Sequence, residues 1–251
     1  MIKKILFISM VLIFSQLSCM DTLNDAYDAR SDIPRTGLVG EWLFDSNNGT
    51  TTYDTSGNGN DGVLASGGTT SPSEVSGYLG QAYSFNSNTD DIKITGGVTN
   101  PLNVAYITVS FFIYPTANGK VIMKDNENGS AIPGTYQVEI NGSNRLAFAC
   151  FTGSARVIID VVSDVIAMDR WYHVACTFDG SMMRIYIDGV LNSEMSSGST
   201  TSLTNNLVSN YSTHIGNVPT GVDNSFTGTI DSVRIYNRAL STTEIKLLAN
   251  E

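Results

Sequence analysis

Asp54–Gly62, DTSGNGNDG, is the densest run of potential ligand atoms in the chain: three glycines, two asparagines, two aspartates, a serine and a threonine in nine residues. Carboxylate, amide and backbone oxygens in that density suit a hard cation, calcium above all, and the glycines let carbonyls turn inward. The plainer reading is a polar turn. Asp54, Ser56, Asn58 and Gly59 occupy the first, third, fifth and sixth places of an EF-hand loop, but the twelfth falls on Ala65, where a bidentate Glu is required. No helical pattern flanks the run either, which removes the EF-hand.

Catalytic spacing is scarce. Of the two histidines, His173 and His214, the first stands beside Trp171 and Tyr172 with no H-x-x-x-H or cysteine pair nearby, which points to packing. Neither a G-x-S-x-G nucleophile elbow nor a phosphate loop is present. Aromatic faces that stack on sugar rings are better supplied: Tyr53, Tyr78 and Tyr211 lie in loops rich in Gly, Ser or Asn, as ligand contacts or as loop anchors. Trp42 alternates with Leu38 and Phe44, and Trp171 opens a strand-like run, so both tryptophans read as core. The acidic stretches Asp90-Asp91 and Lys124–Asn128 either hold a cation or a hydroxyl-rich ligand or are solvated loops.

The elements that position these residues follow from composition and periodicity. The 251 residues are 41% hydrophobic and 15% charged, with 23 glycines, a strand-and-turn composition large enough for one domain. A formal charge of −10 without a Lys/Arg cluster argues against nucleic acid as a partner. The first residues are set apart: MIKK is basic, Ile5–Phe14 is a short apolar run, and SQLSC ends in Cys19. That run is too short to span a bilayer and reads as a secretory signal over residues 1–18. Cys19 at its end resembles a bacterial lipoprotein box, although Gln16 stands where an aliphatic residue is usual. The expectation is a lipidated Cys19, an acidic tether over 19–36 and a domain over 37–251, held in the cell envelope by the lipid alone, at the outer membrane; the alternative is a soluble secreted protein. Cys150 and Cys176 sit in apolar runs, where a disulfide and two buried free thiols are both open.

Alternating runs between turn signals give strands near 37–45, 81–86, 91–95, 107–115, 135–140, 145–151, 171–178, 184–189 and 228–237. Asn141-Gly142 and Asp179-Gly180 mark hairpins. The one strong helix signal is terminal: Ser241 and Glu244 form a capping box, Leu240 and Ile245 a hydrophobic staple, and Ile245, Leu247 and Leu248 dock the helix. In order, GLVGEWLFD, DTSGNGNDG, GQAYSFNSNTDDIKI, ITVSFFIYP, WYHVACTFDGSMMRIYIDGVL and GTIDSVRIYNRALSTTEI resemble the laminin-G-like, concanavalin-A-like jelly-roll domains of bacterial surface proteins.

The resemblance covers about Gly37 to Ala249 and implies an all-β, two-sheet antiparallel jelly-roll sandwich with a short C-terminal helix. It also implies a structural calcium tying the first strand to its loop and to the last strand, held by backbone carbonyls and one or two carboxylates, for which Asp45, Asp54, Asp61 and Asp231 are the candidates. Asp231 would equally serve by accepting backbone amides of the glycine-rich loop, with no metal. Glucanases of this fold place carboxylates on one strand in a pattern like E-x-D-x-E. Glu139 and Asp231 have no such neighbours. The expected function is therefore a non-catalytic, lectin-like module for glycans, with protein–protein adhesion as the rival and glycoside hydrolysis behind it.

Overall fold

The computed structural model describes residues 32–65, 70–97, 99–125, 135–152, 155–160, 166–197, 202–203, 211–217 and 225–251. Period-2 alternation divides its strands cleanly into two layers. The first sheet runs β14 (Val190–Ser196), β13 (Met182–Ile187), β12 (Tyr172–Phe178), β7 (Ile107–Ala117), β16 (Thr227–Tyr236), β5 (Gln81–Phe85) and β4 (Ser73–Ser76), with β1 (Leu38–Trp42) also on β16. The second runs β11 (Ala155–Asp160), β10 (Leu146–Thr152), β9 (Tyr136–Ile140), β8 (Gly119–Asp125), β15 (Ser212–Ile215), β6 (Ile92–Ile94), β3 (Gly62–Leu64) and β2 (Thr51–Thr52). Every ladder is antiparallel. This is the two-sheet sandwich that the alternation predicts.

Between the sheets lies one apolar core. Val109, Phe111 and Ile113 of β7 and Val174, Cys176 and Phe178 of β12 face Val138, Phe148 and Cys150 of the second sheet. Intervening residues of β7 and β12, among them Ser110, Phe112, His173 and Ala175, therefore point to the outer face of the first sheet. A second apolar cluster covers part of that outer face: Ile245 and Leu248 of helix α1 (Thr242–Ala249) join Leu38, Ala175, Tyr186 and Tyr236. The capping box forms as predicted, with Ser241 as N-cap. Leu247, expected to dock, is instead 37% exposed.

Two details set up the site. At Asp231–Ser232 the register against β7 slips, and Ser232 takes a φ of 49°. β5 pairs with 228–230 and β1 with 233–236, so this bulge marks where one edge of β16 passes from one neighbour to the other. The second detail is the β13–β14 turn, Asp188-Gly189, with φ of 50° and 74°, the paired positive values of a tight two-residue hairpin. At Asn141-Gly142 the left-handed residue is instead Asn144, in a loop held by the Asn141 side chain, which accepts from Ser143 and Arg145 N–H.

Candidate functional site: an aromatic cleft on the outer face

Asp54 organises the glycine-rich run by itself. Its Oδ1 accepts the N–H groups of Glu41 and Ser56, both at 2.9 Å, and its Oδ2 that of Asn60 at 2.9 Å. Asp61 returns the favour by accepting Asp54 N–H at 2.8 Å. Asn60, almost fully buried, donates its side-chain amide to Val39 O at 2.8 Å and accepts from the Trp42 indole through its backbone carbonyl at 2.9 Å. The run is thus a polar cap stitched to β1, and amide donors fill the place that a cation would take.

Asp45 and Asp231 belong to a different turn. Asp231, fully buried at the bulge, accepts Leu79 N–H at 3.0 Å, Tyr78 N–H and the Ser232 hydroxyl at 3.1 Å. Asp45 accepts Gln81 N–H at 2.9 Å. Burial pushes the Asp231 carboxyl up to about 6; the bonds from Leu79 and Ser232 pull it down, and the neighbouring charge of Asp45 pushes the same way as burial. Gly77 permits the approach, because a Cβ there would strike the Asp231 carboxylate. The four candidate carboxylates for a calcium therefore divide into two pairs around two turns. Among the described residues no three His, Cys, Asp or Glu side chains converge as metal ligands.

The turn held by Asp231 carries Tyr78 onto the outer face of the first sheet. Its ring lies flat on Phe112, with centroids 4.2 Å apart and planes 12° from parallel, and edge-on to Trp171 at 5.9 Å. Trp171 is itself edge-on to Tyr114 at 5.7 Å, and Phe112 to His173 at 5.1 Å. Tyr78, Phe112, Trp171, Tyr172 and His173 line a cleft of about 280 Å³ together with Asp188 and with Ala249 and Asn250 at the end of α1. Tyr78 is 44% exposed and Trp171 half-buried, so apolar ring surface faces solvent here. The expectation that Trp171 is core fails because its strand starts only at Tyr172, which takes the inward place; Trp42, fully buried, meets it.

Polar groups in the cleft are few and fixed. Asp188 Oδ1 accepts His173 N–H at 2.9 Å, while its Oδ2 meets Arg170 at 3.3 Å, and Arg170 lies 4.3 Å over the Tyr172 ring. His173 Nε2 is 2.8 Å from Ser110 Oγ, whereas Nδ1 is buried without a hydrogen-bond partner among the described residues. Burial, aided by the positive charge of Arg234, pushes the imidazole down to about 3, so the ring is neutral. Leaving such a nitrogen unpaired costs roughly 1–3 kcal/mol. Arg234 is the buried hub beside this wall: its Nε donates to Glu41 at 2.9 Å, and two further donors reach Glu251 at 2.7 Å each. Burial alone would raise the Glu41 carboxyl, but the charge of Arg234 and its bonds win and hold it below the usual range.

The other expected site residues lie elsewhere. Tyr53 follows β2 in the second sheet, where its hydroxyl accepts from Asn48 at 2.9 Å. Tyr211, half-buried, precedes β15, also in the second sheet. The three tyrosines therefore do not form one surface; Tyr78 alone lines the cleft. Asp90 caps a turn by accepting Asn86 and Ser87 N–H, and Asp91 meets the buried His214 at 3.1 Å. Lys124 is buried with its amine unpartnered among the described residues, and burial pushes it down to about 8. Cys150 and Cys176 are free, buried thiols rather than a disulfide. Cys19 and Asn126–Asn128 lie outside the described residues. No helix among those residues is long and apolar enough to cross a membrane.

Residues 86–246 match the laminin-G-type family model described as the concanavalin A-like lectin/glucanases superfamily. The chain belongs to that superfamily. A curated relative, adhesion G-protein coupled receptor V1 of Danio rerio, is 28% identical over 158 residues, which is 60% of this chain and 2% of the receptor. Among solved structures, domain 4 of AbnA, a GH43 extracellular arabinanase from Geobacillus stearothermophilus in complex with arabinotriose, aligns with a TM-score of 0.63 at 20% identity, over 84% of this chain and 98% of that domain. The binding domain of botulinum neurotoxin DC in complex with SialylT aligns with a TM-score of 0.62 at 16% identity, over 86% of this chain and 52% of that one. The same toxin domain in complex with rat synaptotagmin II gives 0.58 at 16% identity, over 85% and 51%. At these identities the structural matches establish the fold.

Proposed function

We propose that the chain is a non-catalytic carbohydrate-binding module held at the bacterial cell envelope through a lipid on Cys19, and that the Tyr78–Trp171 cleft is where it binds sugar. The observation that carries this reading is the exposed aromatic wall beside a few fixed polar groups, the arrangement that recognises a ring with apolar faces and hydroxyl edges. Glycan-bound relatives with this fold, the arabinotriose and SialylT complexes, support it. Catalysis gets no help from the cleft. A glycosidase sets two carboxylates across one bond, and here the lining brings one, Asp188, already committed to His173 N–H and Arg170.

Protein adhesion is the second reading, favoured by the apolar residues that β14 leaves in solvent: Val190 is 63% and Leu191 42% exposed. A glycan array probed with the whole chain separates the two. Binding lost in Trp171→Ala with an unchanged melting midpoint supports the cleft. An array without hits turns the assignment toward proteins, and sugar released in proportion to added protein makes the module an enzyme. Affinity for one shallow site should fall between about 1 µM and 1 mM.

A further inference from the structure

Helix α1 is fixed to the first sheet differently at its two ends. At its start the tie runs through the backbone: Thr108 Oγ1 of β7 donates to Arg238 O at 2.8 Å and accepts Leu240 N–H at 2.9 Å, while the Arg238 guanidinium donates to Thr36 O at 2.8 Å and forks onto Glu244. Past Ile245 the helix lies on the sheet by apolar contact, with Leu248 buried in the patch that holds Ala175, Tyr186 and Tyr236. The far end is then pinned by Glu251, whose two oxygens each accept from the Arg234 guanidinium at 2.7 Å, both side chains being buried. Ala249 and Asn250, between Leu248 and Glu251, line the aromatic cleft. We propose that α1 with the two residues after it is a strap across the outer face of the first sheet, hinged at Arg238–Ser241 and clasped by Glu251 on Arg234, and that the helix-side wall of the cleft opens when the clasp lets go. The strap concerns the shape of the cleft and is independent of what the cleft binds.

The charges let the clasp open without stranding an ion. Arg234 keeps its bond from Nε to Glu41 at 2.9 Å, and Glu41 keeps Arg35 and Thr55, so the guanidinium stays paired when Glu251 leaves for water. A buried pair without a second partner lacks this property, because the charge left behind is uncompensated. The ground under the strap is apolar as well. Ala175 and Tyr186 are cross-strand neighbours on β12 and β13, and Ala175 is two residues along β12 from His173 on the same outer face. Lifting the end of the strap therefore lengthens the cleft along β12 from a pocket of about 280 Å³ into a groove. Burial of Ile245 and Leu248 keeps the closed form dominant, and the clasp sets how often the end lifts.

The test uses the whole chain and reads the cleft through Trp171, since the other tryptophan, Trp42, is fully buried and a neutral quencher such as acrylamide reaches Trp171 first. Glu251→Gln keeps the size of the side chain without its charge; it should raise the quenching constant of Trp171 about twofold and amide exchange over residues 247–250 about tenfold, with β7 and β12 unchanged. Arg238→Ala, at the hinge, should leave the quenching constant where it is. Acetate added to Glu251→Ala should restore quenching toward the wild-type value by taking the vacated place on Arg234, and chloride at equal ionic strength should not. Wild-type quenching in both Glu251 variants overturns the clasp, and a failure of acetate to restore it assigns the loosening to lost packing instead of the fork. If Arg238→Ala loosens the cleft as much as Glu251→Gln does, α1 moves as one body and the hinge is overturned. Should the variants not fold, amide exchange of the unaltered chain in low urea decides: the last turn of α1 should open well before β7 and β12, and its exchange together with those strands refutes the strap.

Discussion

Two aspartates in this molecule do the same job in opposite settings. Asp54 gathers three backbone amides at the surface of the glycine-rich cap, and both of its carboxylate oxygens are used within the cap or on the adjoining β1. Asp231 gathers the amides of the Tyr78–Leu79 turn from full burial, next to another carboxylate, and is pushed up to about 6 by burial first. The cap closes on itself, while the turn projects an aromatic ring over a cleft in which one nitrogen of the His173 ring has no partner among the described residues. A run of residues that looks like a ligand site is here finished structure. The candidate site lies where the fold leaves something incomplete.

That contrast can be broken at its strongest point first. Asp54→Ala removes three charge-assisted hydrogen bonds at a half-exposed position, so unfolding by urea should show a loss on the order of 4 kcal/mol, with sugar binding unchanged in the folded fraction. A loss of binding at full stability would move the site to the cap.

The next effect concerns pH. Asp231 has a folded value near 6 against 3.8 for the free side chain, so between those values the folded state holds the extra proton and stability rises as pH falls from about 7 to about 4. The difference sets an upper bound of about 3 kcal/mol. Melting midpoints of the wild type should therefore gain on those of Asp231→Asn as the solution is acidified, and parallel curves would show that Asp231 does not titrate in this window.

Smaller still is Trp171→Ala. Losing one half-exposed stacking ring should weaken sugar binding about tenfold, or about 1.4 kcal/mol, while the midpoint stays within about 2 °C. A collapse of stability instead would class Trp171 with Trp42. Last, chelator against millimolar calcium should shift the midpoint by no more than about 1 °C, since Asp54, Asp231 and Asp45 already accept backbone N–H groups. A site at a hundredfold excess over Kd would add about 2.7 kcal/mol. A shift of that size would show that Asp45 and Asp231 share a cation, and the two turns would no longer be alike.

The sandwich was readable because it rests on period-2 alternation, and all of the expected strands appear within about three residues at their ends. Strands whose partners supply most of their order were not: β3 has three residues, β2 two, and β14, VLNSEMS, has a polar, exposed pattern of a sheet edge. Asp188-Gly189 was a hairpin signal hidden inside RIYIDG, read as a strand to its last residue. The site was half legible. Tyr78 stood out as an aromatic in a loop, but its partners Phe112, Trp171 and His173 come from strands nearest to one another only after folding, and nothing local distinguishes an outward Phe112 from the inward Phe111 beside it. Asp231, expected as a calcium carboxylate or else as a cap on the glycine-rich loop, caps backbone amides of the Tyr78–Leu79 turn.

β16 sits at the middle of the first sheet, between β7 on one edge and β5 and β1 on the other, yet it is the last strand made. A growing chain must hold β1, β5 and β7 without their common neighbour until nearly all of it has been synthesised. Such long-range pairing raises contact order and slows folding. In a chain of this design the first sheet can close only in a late step, once its central strand has been made.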